Sequence, residues 1–122
     1  MKAMRVALIG AKGRMGQAIA AAASSTQAII VSGLDQGDDL EKGIDASDVL
    51  IDFSHPTVTD EICRIALNAR KPMVIGTTGH SNAERAVLDR ASQSLPIILS
   101  PNFSIGINTL FSVTRKTAEM LG

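Results

Sequence analysis

Gly10-Ala11-Lys12-Gly13-Arg14-Met15-Gly16 stands between two runs of opposite character. Ahead of it, Arg5-Val6-Ala7-Leu8-Ile9 is apolar, β-branched in part, and short enough for a buried strand. Behind it, Met15 to Ser24 is Ala-rich and free of breakers, which predicts a helix. Strand, glycine turn and helix in that order read as the entry to a dinucleotide site, the plainer alternative being a structural turn. Gly10 permits the tight turn, Gly13 lets the backbone approach a pyrophosphate, and Gly16 lets the helix pack on the strand. The helix's free N–H groups and positive dipole end then face the phosphates.

Ala28 to Leu34 reads as the second strand, ended by Asp35-Gln36-Gly37-Asp38. A right-handed βαβ unit sets it beside the first strand, and an acid at its carboxyl end meets the adenosine ribose. Asp35 is that candidate; its carboxylate accepts from the ribose hydroxyls and, taken alone, favours NAD over NADP. Lys12 and Arg14 offer cations to either the pyrophosphate or a 2′-phosphate. The plainer reading of Asp35, Asp38 and Asp39 is solvated loop acids.

Residues 38–47 hold at most two helical turns, and residues 48–53 read as a third strand ending at Ser54-His55-Pro56. His55 is either a ring near the cofactor or a loop residue. Residues 57–69 carry apolar positions at helical spacing, and Met73-Val74-Ile75 is a fourth strand. Gly76-Thr77-Thr78-Gly79 then forms a second glycine loop, able to pass close to a ligand while offering N–H and O–H donors. Ser81-Asn82-Ala83-Glu84 is a capping box opening a helix with Ala83, Ala86, Val87 and Ala91 inward, and His80 before it is expected exposed and inert. Residues 96–100 make the fifth strand, and Ile105 to Leu121 a last helix with Leu110, Val113, Thr114 and Thr117 on one side. Phe53 and Phe103 stand at or beside strand ends; they either lie against a nicotinamide ring or cap the core.

A chain of 122 residues fits one domain, expected over residues 1–122 as a Rossmann-like, doubly wound parallel sheet in three layers of the α/β class. Twelve basic and twelve acidic residues cancel, so no bulk field favours nucleic acid or an anionic membrane. With no Trp or Tyr there is no platform for stacking bases. No apolar run is long enough to span a bilayer and no signal peptide is evident, so a cytoplasmic location is expected. The single cysteine, Cys63, lies in an apolar helical stripe and reads as a buried structural thiol; no metal cluster is expected.

The glycine turn, Asp52-Phe53-Ser54-His55-Pro56, Gly76-Thr77-Thr78-Gly79 and Asn102-Phe103-Ser104-Ile105-Gly106-Ile107-Asn108 together resemble the N-terminal domain of the 4-hydroxy-tetrahydrodipicolinate reductase family, formerly dihydrodipicolinate reductase, of diaminopimelate and lysine biosynthesis. The resemblance implies that Gly10, Ala11, Lys12, Gly13, Arg14 and Met15 hold the pyrophosphate of NADH or NADPH and Asp35 the ribose. Gly76, Thr77 and Thr78, with Ser100, Pro101, Asn102 and Phe103, would line the nicotinamide end, where Phe53 also belongs. Some relatives carry an Arg after the ribose acid; here it is Gln36, which weakens a strong NADPH preference.

The family's substrate and tetramer-forming domain, with its His-His-x-x-Lys segment, has no counterpart in these residues, so no catalytic residue is assigned. The expectation is a cofactor domain of a reductase with a small-molecule substrate, inactive alone, with homo-oligomerisation open. Two rivals remain. One is a CoA-binding module like that of succinyl-CoA ligase α subunits, sharing a Pro-Asn…Gly-Ile run at residues 101–107; the other is a non-catalytic nucleotide sensor.

Overall fold

The computed structural model describes residues 2–122. Apolar, β-branched segments form five strands: β1 Met4–Ile9, β2 Ala28–Leu34, β3 Val49–Asp52, β4 Met73–Ile75 and β5 Ile97–Leu99. Between and after them run α1 Arg14–Ala23, α2 Leu40–Asp45, α3 Thr59–Ala69, α4 Asn82–Ser92 and α5 Ile105–Leu121, with a 3-10 turn at Pro56–Val58. The strands make one sheet in the order β2-β1-β3-β4-β5, and every neighbouring pair is parallel. This is the expected doubly wound Rossmann-like architecture.

Chain direction sets the layers. The step from β1 to β2 runs one way across the sheet and the later steps run the other, so right-handed crossovers put α1 on one face and α2, α3 and α4 on the opposite one. On the latter face Ala7, Ile9, Leu50, Met73 and Ile75 meet Ile44, Ile62, Ile65 and Leu88 in one buried cluster. Cys63 is buried in the same cluster, and desolvation pushes its thiol up to about 11, as befits a packing residue.

Local chemistry accounts for the ends of the elements. Ser81 caps α4 by accepting from the Glu84 N–H, while Glu84 accepts from the Ser81 N–H at 2.6 Å, as the capping box predicts. Arg70, with φ 54°, closes α3 in the left-handed region. At the amino ends of two interior strands the Arg5 guanidinium and N–H both bind Asp48, locking β1 to the start of β3.

Two helix faces differ from expectation. In α4 the buried residues are Leu88 and Ala91, with Ala83 and Ala86 exposed. Turning the helix this way buries a leucine instead of two alanines, the larger apolar gain. α5 has the expected bounds but no buried residue, so Leu110, Val113, Thr114 and Thr117 all face solvent. The α1 face of the sheet is accordingly thinly covered near β5, where Ile98 is 59% exposed.

Candidate functional site

In a doubly wound sheet the crevice for a ligand opens where strand order reverses, at the carboxyl ends of the two strands flanking that point. Here those strands are β1 and β3. Gly10 leaves β1 with φ 81°, a region favouring glycine, and a Cβ there would strike the Phe53 carbonyl at the end of β3. The Gly10 and Ala11 N–H groups donate to the Leu34 carbonyl at 2.8 and 3.3 Å, which ties the turn to the end of β2. Gly16 is buried, and a Cβ there would run into the Gly10 carbonyl oxygen and the Ala11 Cα. Its contact is thus with the turn itself and not, as expected, with the strand.

Gly13 is the N-cap of α1. It offers no side chain to cap the helix, and the first turn carries no acid of its own. The first backbone N–H groups at the positive end of this ten-residue helix thus have no side-chain cap. Lys12, Arg14 and Met15 are exposed around this turn.

The three candidate loop acids divide by role. The Asp35 carboxylate accepts the Lys12 N–H at 3.1 and 3.3 Å, and so stands against the glycine turn. Asp38 accepts the Asp35 N–H at 2.8 Å. Asp39 is structural: it caps α2 by accepting the Lys42 N–H at 3.0 Å. Between the turn, this loop and the segment after β3 lies a crevice of about 790 Å³, with Gly10, Gly13, Asp35, Phe53 and His55 on its walls. His55 caps the 3-10 turn, its Nδ1 held by the Thr57 N–H at 3.4 Å, and the residue lines the crevice. It is both a capping residue and a wall.

Gly76, Thr77, Thr78, Ser100, Pro101, Asn102 and Phe103 form a second group at the ends of β4 and β5, off the walls of that crevice. Phe53 joins the two groups. Its backbone abuts Gly10, its ring lies where a Gly76 Cβ would be, and the ring stands 6.1 Å from that of Phe103 at 57°. Thr77 is buried and its hydroxyl donates inward to the Asp52 carbonyl at 3.4 Å, so the loop's exposed hydroxyl is that of Thr78. The Ser100 hydroxyl donates to the Asn102 carbonyl at 2.8 Å, and the Asn102 side chain accepts the Ser104 N–H at 2.9 Å, fixing the loop that carries Phe103.

Asp52, which sequence reasoning passed over, lies buried beneath this region. Its carboxylate accepts the Ser54 N–H at 2.9 Å and the Ser54 hydroxyl. Burial raises its pKa, and the Ser54 hydrogen bonds oppose the rise. An acid closing an apolar strand, Ile51-Asp52-Phe53, was the available signal. His80 also departs from expectation: the residue is half-buried and its Nε2 is buried without a partner. Among the described residues no group of three His, Cys, Asp or Glu side chains is arranged to hold a metal.

Comparison with known proteins adds the following. The family described as "Dihydrodipicolinate reductase, N-terminus" matches residues 4–103. The 4-hydroxy-tetrahydrodipicolinate reductase of Akkermansia muciniphila is 42% identical over 118 residues, covering 96% of this chain and 48% of that protein. The enzyme of the same name from Zymomonas mobilis is 37% identical over 126 residues, covering 98% of this chain and 50% of that protein. The chain spans about half the length of these curated relatives.

Proposed function

The chain belongs to the dihydrodipicolinate reductase family, matching its N-terminal part, and from that premise we propose that it is the pyridine-nucleotide-binding domain of a reductase acting on 4-hydroxy-tetrahydrodipicolinate in lysine and diaminopimelate biosynthesis. The observation that carries the reading is the uncapped, acid-free N-terminus of α1, set behind a glycine turn that leaves no room for side chains at Gly10 and Gly16. That cradle fits a pyrophosphate. Gly10, Ala11, Lys12, Gly13, Arg14 and Met15 would hold it, and Asp35 would accept from the adenosine ribose.

When bound, a reduced nicotinamide supplies the hydride. This chain's own residues position the ring: Phe53 and Phe103 present an apolar, tilted aromatic pair, and the Gly76–Thr78 loop and Ser100–Asn102 supply polar groups at its edge. Hydride transfer also requires a substrate held in near-attack geometry with a proton donor in reach. These residues hold no His-His-x-x-Lys segment of the family's kind, and on that ground the chain alone is expected to bind nucleotide and turn over poorly or not at all.

Side-by-side calorimetric titrations with NADH, NADPH and CoA test this. Saturable binding of a reduced pyridine nucleotide, with CoA silent, is the expected result. Binding of CoA, or of no nucleotide, overturns the assignment.

A further inference from the structure

We infer that Asp52 is a positioning residue for the nicotinamide end of the site: its carboxylate shapes the Asp52-Phe53-Ser54 turn and so holds the Phe53 ring in place between Gly76 and Phe103. The inference rests on the cofactor reading proposed above, which gives Asp52 no role.

By the rules of a core, Asp52 is the wrong residue. It ends β3 at 1% exposure, on the same face of the strand as Leu50, and is paired in register with Ile9 of β1 and Ile75 of β4. An apolar, β-branched side chain suits such a place better, because burial disfavours a charged carboxylate. Burial has raised the Asp52 pKa accordingly. The acid is kept against that penalty, and what it does there is bind Ser54: Oδ1 accepts both the Ser54 N–H, at 2.9 Å, and the Ser54 hydroxyl.

An Asp side chain that takes the N–H two residues on closes a tight turn about the residue between them. Here that residue is Phe53. Its N–H donates to the Ile9 carbonyl at 3.0 Å, and its ring fills the room beside Gly76 and stands 6.1 Å from the ring of Phe103. The Asp52 backbone serves the neighbouring loop, its carbonyl accepting the Gly76 N–H at 2.9 Å and the Thr77 hydroxyl at 3.4 Å. One buried residue thus joins the turn carrying Phe53 to the Gly76–Thr78 loop. Without the carboxylate, Ser54 loses both bonds and the ring loses its fixed place, while the backbone bonds to Ile9 and Gly76 need no side chain and persist. The glycine turn is held separately, by the Leu34 carbonyl. The loss is therefore confined to one end of the nucleotide.

The test uses the intact chain and needs no turnover. Calorimetry compares NADH with ADP-ribose, which lacks the nicotinamide, so that their affinity ratio reports that end alone. In the parent, NADH is expected to bind about fivefold tighter or more. Asp52→Val, which suits a buried strand and offers no acceptor, should bring the ratio to about one while ADP-ribose affinity moves by less than about twofold. Asp52→Asn keeps an oxygen for both Ser54 donors and should restore the parent ratio. Fluorescence anisotropy of the bound reduced nicotinamide should follow the same order, high in the parent and Asp52→Asn and low in Asp52→Val. Thermal melts verify the fold, and Ser54→Ala, which removes the hydroxyl donor from outside the core, should lower the ratio in part even if Asp52→Val does not fold. A parent ratio near one, an unchanged ratio in Asp52→Val or Ser54→Ala, an equal loss of both ligands, or no rescue by Asp52→Asn overturns the inference and leaves the cofactor reading standing. Failure of both ligands to bind the parent removes the cofactor reading, and the inference with it.

Discussion

Gly13 and Gly16 lie one helical turn apart, yet side chains there meet different surroundings. A Cβ at Gly16 collides with the backbone of Gly10 and Ala11, which cannot swing aside, whereas one at Gly13 sits 3.3 Å from a single carbonyl oxygen with ordinary backbone angles. Gly16→Ala should therefore destabilise the chain by about 1–3 kcal/mol, read as a drop of several degrees in Tm. Gly13→Val should keep the fold and lose NADH binding by calorimetry; a variant that bound NADH like the parent would refute the phosphate assignment. Two aspartates pull stability in opposite directions with pH. Asp48, held well below the usual carboxylate range by its hydrogen bonds to Arg5, stabilises the fold above about pH 4. That contribution is lost progressively as pH falls below this value. Asp52 has a raised folded pKa, so its buried charge opposes folding at neutral pH, and that opposition is relieved progressively as pH falls through the folded pKa toward the ordinary carboxylate value. Urea melts should show Asp48→Asn destabilising at pH 7 and progressively less so below about pH 4. Asp52→Asn, which leaves an acceptor for the Ser54 N–H, should show its most favourable effect at pH 7 and a diminishing one on acidification.

At the level of single elements, α4 and α5 are contrasting helices. α4 is nailed at its start by the Ser81–Glu84 box and inserts Leu88 and Ala91 into the core. Ser81→Ala should cost about 1 kcal/mol, visible as a Tm lower by a few degrees. α5 has a cap, the Ser104 hydroxyl accepting the Ile107 N–H at 3.4 Å, and 17 residues of adequate propensity, but no buried residue. Helical stability comes mainly from packing an apolar face, so α5 amides should exchange with solvent faster than those of α3, whose Ile62, Cys63, Ile65 and Ala66 are buried. Hydrogen-exchange mass spectrometry resolves the two; equal protection would contradict the exposure seen for α5.

For the molecule as a whole, stability resides in the sheet face covered by α2, α3 and α4. Removing residues 105–122 deletes no buried side chain, so Tm should move by no more than about 2 °C. A larger fall would mean that α5 packs on the sheet in solution. The order of strands and helices, the glycine turn and the capping box were readable in the chain, because strand and helix periodicity, glycine freedom and caps are properties of neighbours in sequence. Asp35 was readable for the same reason, at the end of a recognisable strand. The chain did not reveal that Thr77 turns its hydroxyl toward Asp52, that His80 is half-buried, or that Phe53 bridges Gly10, Gly76 and Phe103. Nor did it reveal that an amphipathic α5 would lack a surface to bury its apolar side, or that Glu61 would join Asp35 across the crevice. Those outcomes depend on groups brought together from distant parts of the sequence by strand order and helix phase, and local propensity carries no information about either.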